Sequence, residues 1–215
     1  MADSERATPH AVEKDAAVFH LPGFPLPALI SLASTQADTP FVDLFMLSLV
    51  RPVLLCTFGF PLNARGGGVD TARAAMDPSG EQLLSLTRAL PRLTRCVPDL
   101  AVFGVSTLSP VNQACVHKAL ALPFPLLSDV SGVFASKLEL PREGAGGETP
   151  GGGTGEAPSK PSDVPPSEAP SESQLRRCLL LLREGQVTRI DYPISQPHLA
   201  GSRAEEMLRR DSGAE

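Results

Sequence analysis

Apolar residues along this chain come in short bursts of two kinds, continuous runs and helical stripes, punctuated by Pro, Gly and Asp. "LPALISLAST" (26–35) reads as an opening strand, and "PVLLCTF" (52–58) and "DLAVFGVST" (99–107) as strands buried on both faces. "TPFVDLFML" (39–47) predicts a short helix capped by Thr39 or Asp38, with Pro40 at its first position. An irregular stretch, 59–76, follows the second strand. At "DPSGEQ" the polarity signals a helix start: Asp77 and Pro78 suit the cap and first position, and Ser79 with Gln82 has capping-box spacing. Leu83, Leu86, Leu90 and Leu93 then recur at helical spacing, with Pro91 expected to kink or divide that helix. Downstream come a helix capped by Ser109, an extended "LPFPLLSD", a short helix in "VSGVFASKL" and two strands around Glu184-Gly185. A final helix is expected in "SRAEEMLRR", with Ser202 and Glu205 as its capping box and Gly213 beyond its end.

Two segments lack such a pattern. Residues 1–17 read as a disordered tail. Residues 142–174 hold seven Gly and six Pro and no aromatic residue, so they cannot bury enough surface to offset their ordering entropy and read as a disordered insertion. The domain is therefore expected over 18–141 and 175–212. Strands alternating with helices, closed by an antiparallel hairpin and a helix, predict an α/β sandwich on a mixed sheet.

Composition adds exclusions. With net charge −5 and four Lys, no basic surface for nucleic acid or an anionic membrane is expected. The longest apolar region is broken by Asp43, Arg51 and Pro52, so it reads as two soluble elements rather than a span. No signal core opens the sequence, and a cytoplasmic location follows by default. Cys56, Cys96, Cys115 and Cys178 are far apart, with no Cys-x-x-Cys pair and no His at ligand spacing. Neither a disulfide framework nor a metal site is expected, and no cofactor. The glycines of "RGGGVD" lack the Gly-Lys-Ser/Thr that would make a phosphate loop, so a nucleotide-binding reading ranks last.

Taken in order, these segments resemble the peroxiredoxin-like branch of the thioredoxin fold, the alkyl hydroperoxide reductase / thiol-specific antioxidant family, most nearly its bacterioferritin-comigratory subgroup. "LPGFPLPALISLAST" resembles that family's opening hairpin, and "RPVLLCTFGFPLN" its strand ending in an aromatic-Pro turn, here Phe60-Pro61. "DLAVFGVST", "LALPFPLLSDVSGVFASKLELP", "RRCLLLLREGQVTRIDYPI" and "RAEEMLRR" are similar to its later elements, the second most closely. The resemblance implies a three-layer thioredoxin-like sandwich with a mixed central sheet. It also implies a peroxide substrate and a thiol reductant of thioredoxin or glutathione type, in an antioxidant oxidoreductase. Oligomeric state is left open.

The resemblance further implies a peroxidatic cysteine in the first turn of the helix between the central strands. A helix N-terminus and an arginine lower such a thiol's pKa, and the thiolate attacks the peroxide O–O bond to become sulfenic acid. In this chain Ser79 falls at that position, and the family's Pro-x-x-x-Ser/Thr-x-x-Cys signature is missing. Arg177 matches the family's active-site arginine, with Arg176 an equal neighbour, and Pro61 its turn proline. A serine hydroxyl has no sulfur to oxidise, so the family reaction is not expected of Ser79, which reads as a helix cap. Among the thiols, Cys56 is the least poor substitute, although a buried strand disfavours its thiolate. Two readings follow: a thiol-dependent peroxide reductase, or a catalytically inactive redoxin-fold protein used for binding or scaffolding.

Overall fold

The computed structural model describes residues 18–62, 67–143, 174–211 and 213. The expected tail and nearly all of the expected insertion therefore lie outside the described residues.

Among the described residues seven strands form one mixed sheet: β1 (Ser31–Ser34), β2 (Phe41–Asp43), β3 (Val53–Thr57), β4 (Ala101–Ser106), β5 (Leu126–Ser128), β6 (Cys178–Arg183) and β7 (Gln186–Asp191). Their order is β2-β1-β5-β4-β3-β6-β7. β3, β4 and β5 run parallel, while β6 pairs antiparallel with β3, opposite Thr57 at Cys178 and Cys56 at Leu179. Among the described residues five α-helices accompany the sheet: α1 (Leu44–Val50), α2 (Pro78–Cys96), α3 (Pro110–Ala119), α4 (Val133–Lys137) and α5 (Ala200–Asp211).

β3 is buried at all five positions, as its unbroken apolar run requires of a strand covered on both faces. Alternation then splits it between two cores. Leu54 and Cys56 join Leu83, Leu86 and Leu93 of α2, and Ala204 and Leu208 of α5, on one side. Val53 and Leu55 join Leu44, Phe134, Cys178 and Leu180 on the other. This is the three-layer arrangement with a mixed central sheet. α2 and α5 are further joined by Ser85, whose hydroxyl donates to the His198 carbonyl at 2.7 Å and accepts from the Gly201 amide at 3.0 Å.

Four local expectations are corrected. The segment 39–43 is not the start of a helix: Phe41 and Val42 pair with Ala33 and Leu32, and α1 begins later, capped by Asp43 through the Met46 amide at 3.1 Å. Long-range pairing outweighs the local Thr-Pro signal. α2 is continuous through Pro91, which lies on its exposed side while Leu83, Leu86, Ala89 and Leu93 anchor the buried one. Ser79 and Gln82 form no capping box, because Asp77 holds the cap and accepts the Ser79 amide at 2.8 Å. Ser202 and Glu205 do not either: α5 starts at Ala200, fed by a 3-10 turn at Pro197–Leu199, and Glu205 pairs with Arg92 and Arg209 instead.

Candidate functional site

The site at the α2 amino end begins with the chain leaving β3. Phe58 remains fully buried, and Gly59 packs so tightly that a Cβ there would lie 2.8 Å from Gln174 Cβ and 3.2 Å from the Leu175 carbonyl oxygen. Phe60, Pro61 and Leu62 then form one wall of an apolar cleft of about 380 Å3, faced by Val69, Met76 and Pro78. Pro61 is exposed at this wall.

Ser79 is the second residue of α2 and only 1% exposed. Its hydroxyl donates to the Gly59 carbonyl at 2.6 Å, and the Gly59 amide approaches the same oxygen at 3.4 Å. The helix start is thereby clamped to the strand exit. The proton of Ser79 is directed at a backbone carbonyl, and no histidine is among its hydrogen-bond partners, so nothing in this geometry activates it as a nucleophile. Next to it, Gly80 lets the preceding 3-10 turn close in: a Cβ at Gly80 would stand 1.7 Å from the Ala74 carbonyl oxygen.

Cys56 lies beneath the same helix, fully buried, and accepts a hydrogen bond from Gln82 Nε2 at 3.0 Å. Burial pushes its thiol well up from the ordinary value, and the neighbouring Cys178 adds to this, against a smaller opposing pull from Arg177. Cys178 is on the opposite face of the sheet, where Thr57 contacts its sulfur at 3.1 Å. Its thiol is pushed up to about 12 by burial, with the Thr57 hydrogen bond working the other way. Cys96 is half-buried and Cys115 exposed. Cys56, Gln82, Arg177 and, through the sheet, Cys178 thus share one neighbourhood, while Cys96 on the far end of α2 and Cys115 on α3 lie on other elements.

A pH dependence follows. An acid whose folded pKa is raised keeps its proton in the native state after the unfolded chain has lost it, so stability is present at lower pH and declines as pH rises. For Cys178 the decline begins near the ordinary value of 9.0 and continues to about 12. The expected slope is about 1.4 kcal/mol per pH unit for each such thiol. Urea midpoints at about pH 8 and about pH 10 check this; Cys178→Ala is expected to flatten the slope, and an unchanged slope contradicts it.

Arg177 sits just ahead of β6 with its Nε donating to the Ile194 carbonyl at 3.4 Å, and Arg176 beside it reaches the Arg142 carbonyl at 3.2 Å. Gly59, Thr57 and Gln82 are parts of the site that sequence reasoning missed. Gln82 had a usable signal, a polar residue on the apolar stripe of α2; the roles of Gly59 and Thr57 depend on the depth at which α2 and β6 pack on β3. Among the described residues, no helix is long and apolar enough to cross a membrane, and no group of His, Cys, Asp and Glu is placed to hold a metal ion.

Comparison with known proteins places this architecture. It matches peroxidoxin BcpB from Mycobacterium tuberculosis with a TM-score of 0.58 at 15% identity, over 88% of this chain and 97% of that one. The bacterioferritin comigratory protein of Xanthomonas campestris gives 0.57 at 14% identity, over 89% and 98%. Reduced Prx3 from Vibrio vulnificus, solved in complex with hydrogen peroxide, gives 0.56 at 14%, over 86% and 96%. No family model matches the chain, and neither does any curated protein. The fold is the peroxiredoxin form of the thioredoxin fold.

Proposed function

We propose that this chain is a peroxiredoxin-fold protein whose peroxide-reacting position carries an alcohol, and that it serves as a binding or scaffolding module without peroxidatic turnover. The observation that carries the reading is the Ser79 hydroxyl, buried in the first turn of α2 and hydrogen-bonded to Gly59. A helix N-terminus favours an anion by roughly 0.3–1 kcal/mol in ordinary settings, far short of what an alcohol needs to ionise near neutral pH. With no sulfur in that turn, no sulfenic acid can form there. Supporting the equivalence of Ser79 with the family's reactive position are its place in the helix after β3 and the Phe60-Pro61 turn beside it.

One observation favours the second reading, a thiol-dependent peroxide reductase working with a thioredoxin- or glutathione-type reductant through Cys56. The Cys56 sulfur accepts the Gln82 amide and feels the Arg177 charge. Burial outweighs both: the thiol is fully enclosed, and desolvation is the largest influence on it. Peroxide consumption with excess dithiol separates the two readings. The expected rate equals that of heat-denatured protein; turnover above it that disappears in Cys56→Ser establishes the reductase instead.

A further inference from the structure

Several arginines among the described residues are matched by carboxylates. Arg92 and Arg209 meet Glu205, Arg189 meets Asp211, Arg203 meets Asp191 and Arg210 meets Glu206. Arg176 and Arg177 are different. They are adjacent, both half-buried, and line one depression of about 480 Å3 walled by Tyr192, Pro193, Ile194 and Ser195. Among the described residues neither has a carboxylate within ion-pair distance. Glu143 is the one acidic residue of the lining, and it is exposed at the rim.

Their Nε atoms are tied to backbone carbonyls, Arg176 to Arg142 and Arg177 to Ile194. Each guanidinium is therefore tethered through one nitrogen, while among the described residues its terminal nitrogens have no hydrogen-bond acceptor. Two cations that line one recess, with no counter-charge among the described residues, are poorly compensated, and a planar guanidinium suits an oxyanion able to accept two parallel hydrogen bonds. Anchoring also lowers the ordering entropy that binding would otherwise cost. A peroxide is neutral and would leave both charges unmatched.

We propose that this depression binds a small doubly charged oxyanion, its carboxylate or phosphate oxygens received by the terminal nitrogens of Arg176 and Arg177. The site is independent of the reading of Ser79, since it requires neither a thiol nor turnover. Isothermal titration of the full chain at low salt, with succinate and with inorganic phosphate as probes and acetate as the singly charged control, tests it. At least one dianion is expected to bind saturably and more tightly than acetate; which one does so separates a carboxylate from a phosphate source. Arg176→Met and Arg177→Met are each expected to weaken that binding roughly 10-fold or more, as loss of a charge-assisted hydrogen bond requires. Glu143→Gln, at the exposed rim, is expected to tighten it. Absence of binding by both dianions, equal binding of acetate, or full affinity in the arginine variants overturns the proposal. Should the arginine variants not fold, unchanged or weakened affinity in Glu143→Gln overturns it as well.

Discussion

Ser79→Cys is expected to give this protein a peroxide-reactive thiol that its native form lacks. The substitution puts sulfur at the second position of a 19-residue helix, where the helix dipole favours a thiolate, with the capping Asp77 carboxylate working the other way. Burial opposes this, since Ser79 is almost completely enclosed. The enclosure is shallow, however: Pro78, the preceding residue, already lines the apolar cleft beside Phe60 and Pro61. The larger sulfur also cannot keep the short hydroxyl bond to Gly59, which loosens the clamp on that side. A drop in pKa of about one unit would multiply the thiolate fraction at neutral pH by nearly ten. After brief peroxide exposure with dimedone, an adduct is expected on the introduced cysteine, forming about tenfold faster than on Cys115. A folded variant that gives no adduct would show that this turn is not a peroxide-reacting position in any form.

The second large effect concerns Gly80. In an ordinary helix Gly→Ala stabilises by about 1 kcal/mol. Here the added Cβ would stand 1.7 Å from the Ala74 carbonyl oxygen and 2.8 Å from its carbon, both backbone atoms that no side-chain rotation can move. The clash reverses the sign. Gly80→Ala is expected to destabilise by about 3 kcal/mol, or to displace the 3-10 turn at Ala74–Met76 and with it the Met76 wall of the cleft. Gly68→Ala is the control, because nothing lies within 4 Å of a Cβ there. A urea midpoint for Gly80→Ala at or above the native one would contradict the packing described.

Much of this fold was legible because burial writes itself plainly into sequence. β3, β4 and β6 are continuous apolar runs covered on both faces, the Leu83–Leu93 stripe marks the buried side of α2, and Glu184-Gly185 marks the hairpin, with both residues at positive φ. The misreadings came from local signals overruled by distant partners. Pro40 and Thr39 look like a helix start, but β1 recruits Phe41–Asp43 as an edge strand. Ser202 and Glu205 have capping-box spacing, but Glu205 turns to Arg92 on α2. Ser79 and Gln82 have it too, and both turn toward β3, one to Gly59 and the other to Cys56. The candidate site was therefore visible as a set of positions, while its clamp was not: which polar atoms meet depends on how deeply α2 sits against the sheet, a property of the assembled core.

The most direct test is peptide mass spectrometry of all four native thiols, sampled over time after stoichiometric peroxide. Cys56 and Cys178 are expected to stay reduced, and no position is expected to oxidise faster than the exposed Cys115, which should itself react no faster than free cysteine. Rapid and selective sulfenic acid formation at Cys56, complete before Cys115 changes, would contradict the account and make this protein a working peroxide reductase.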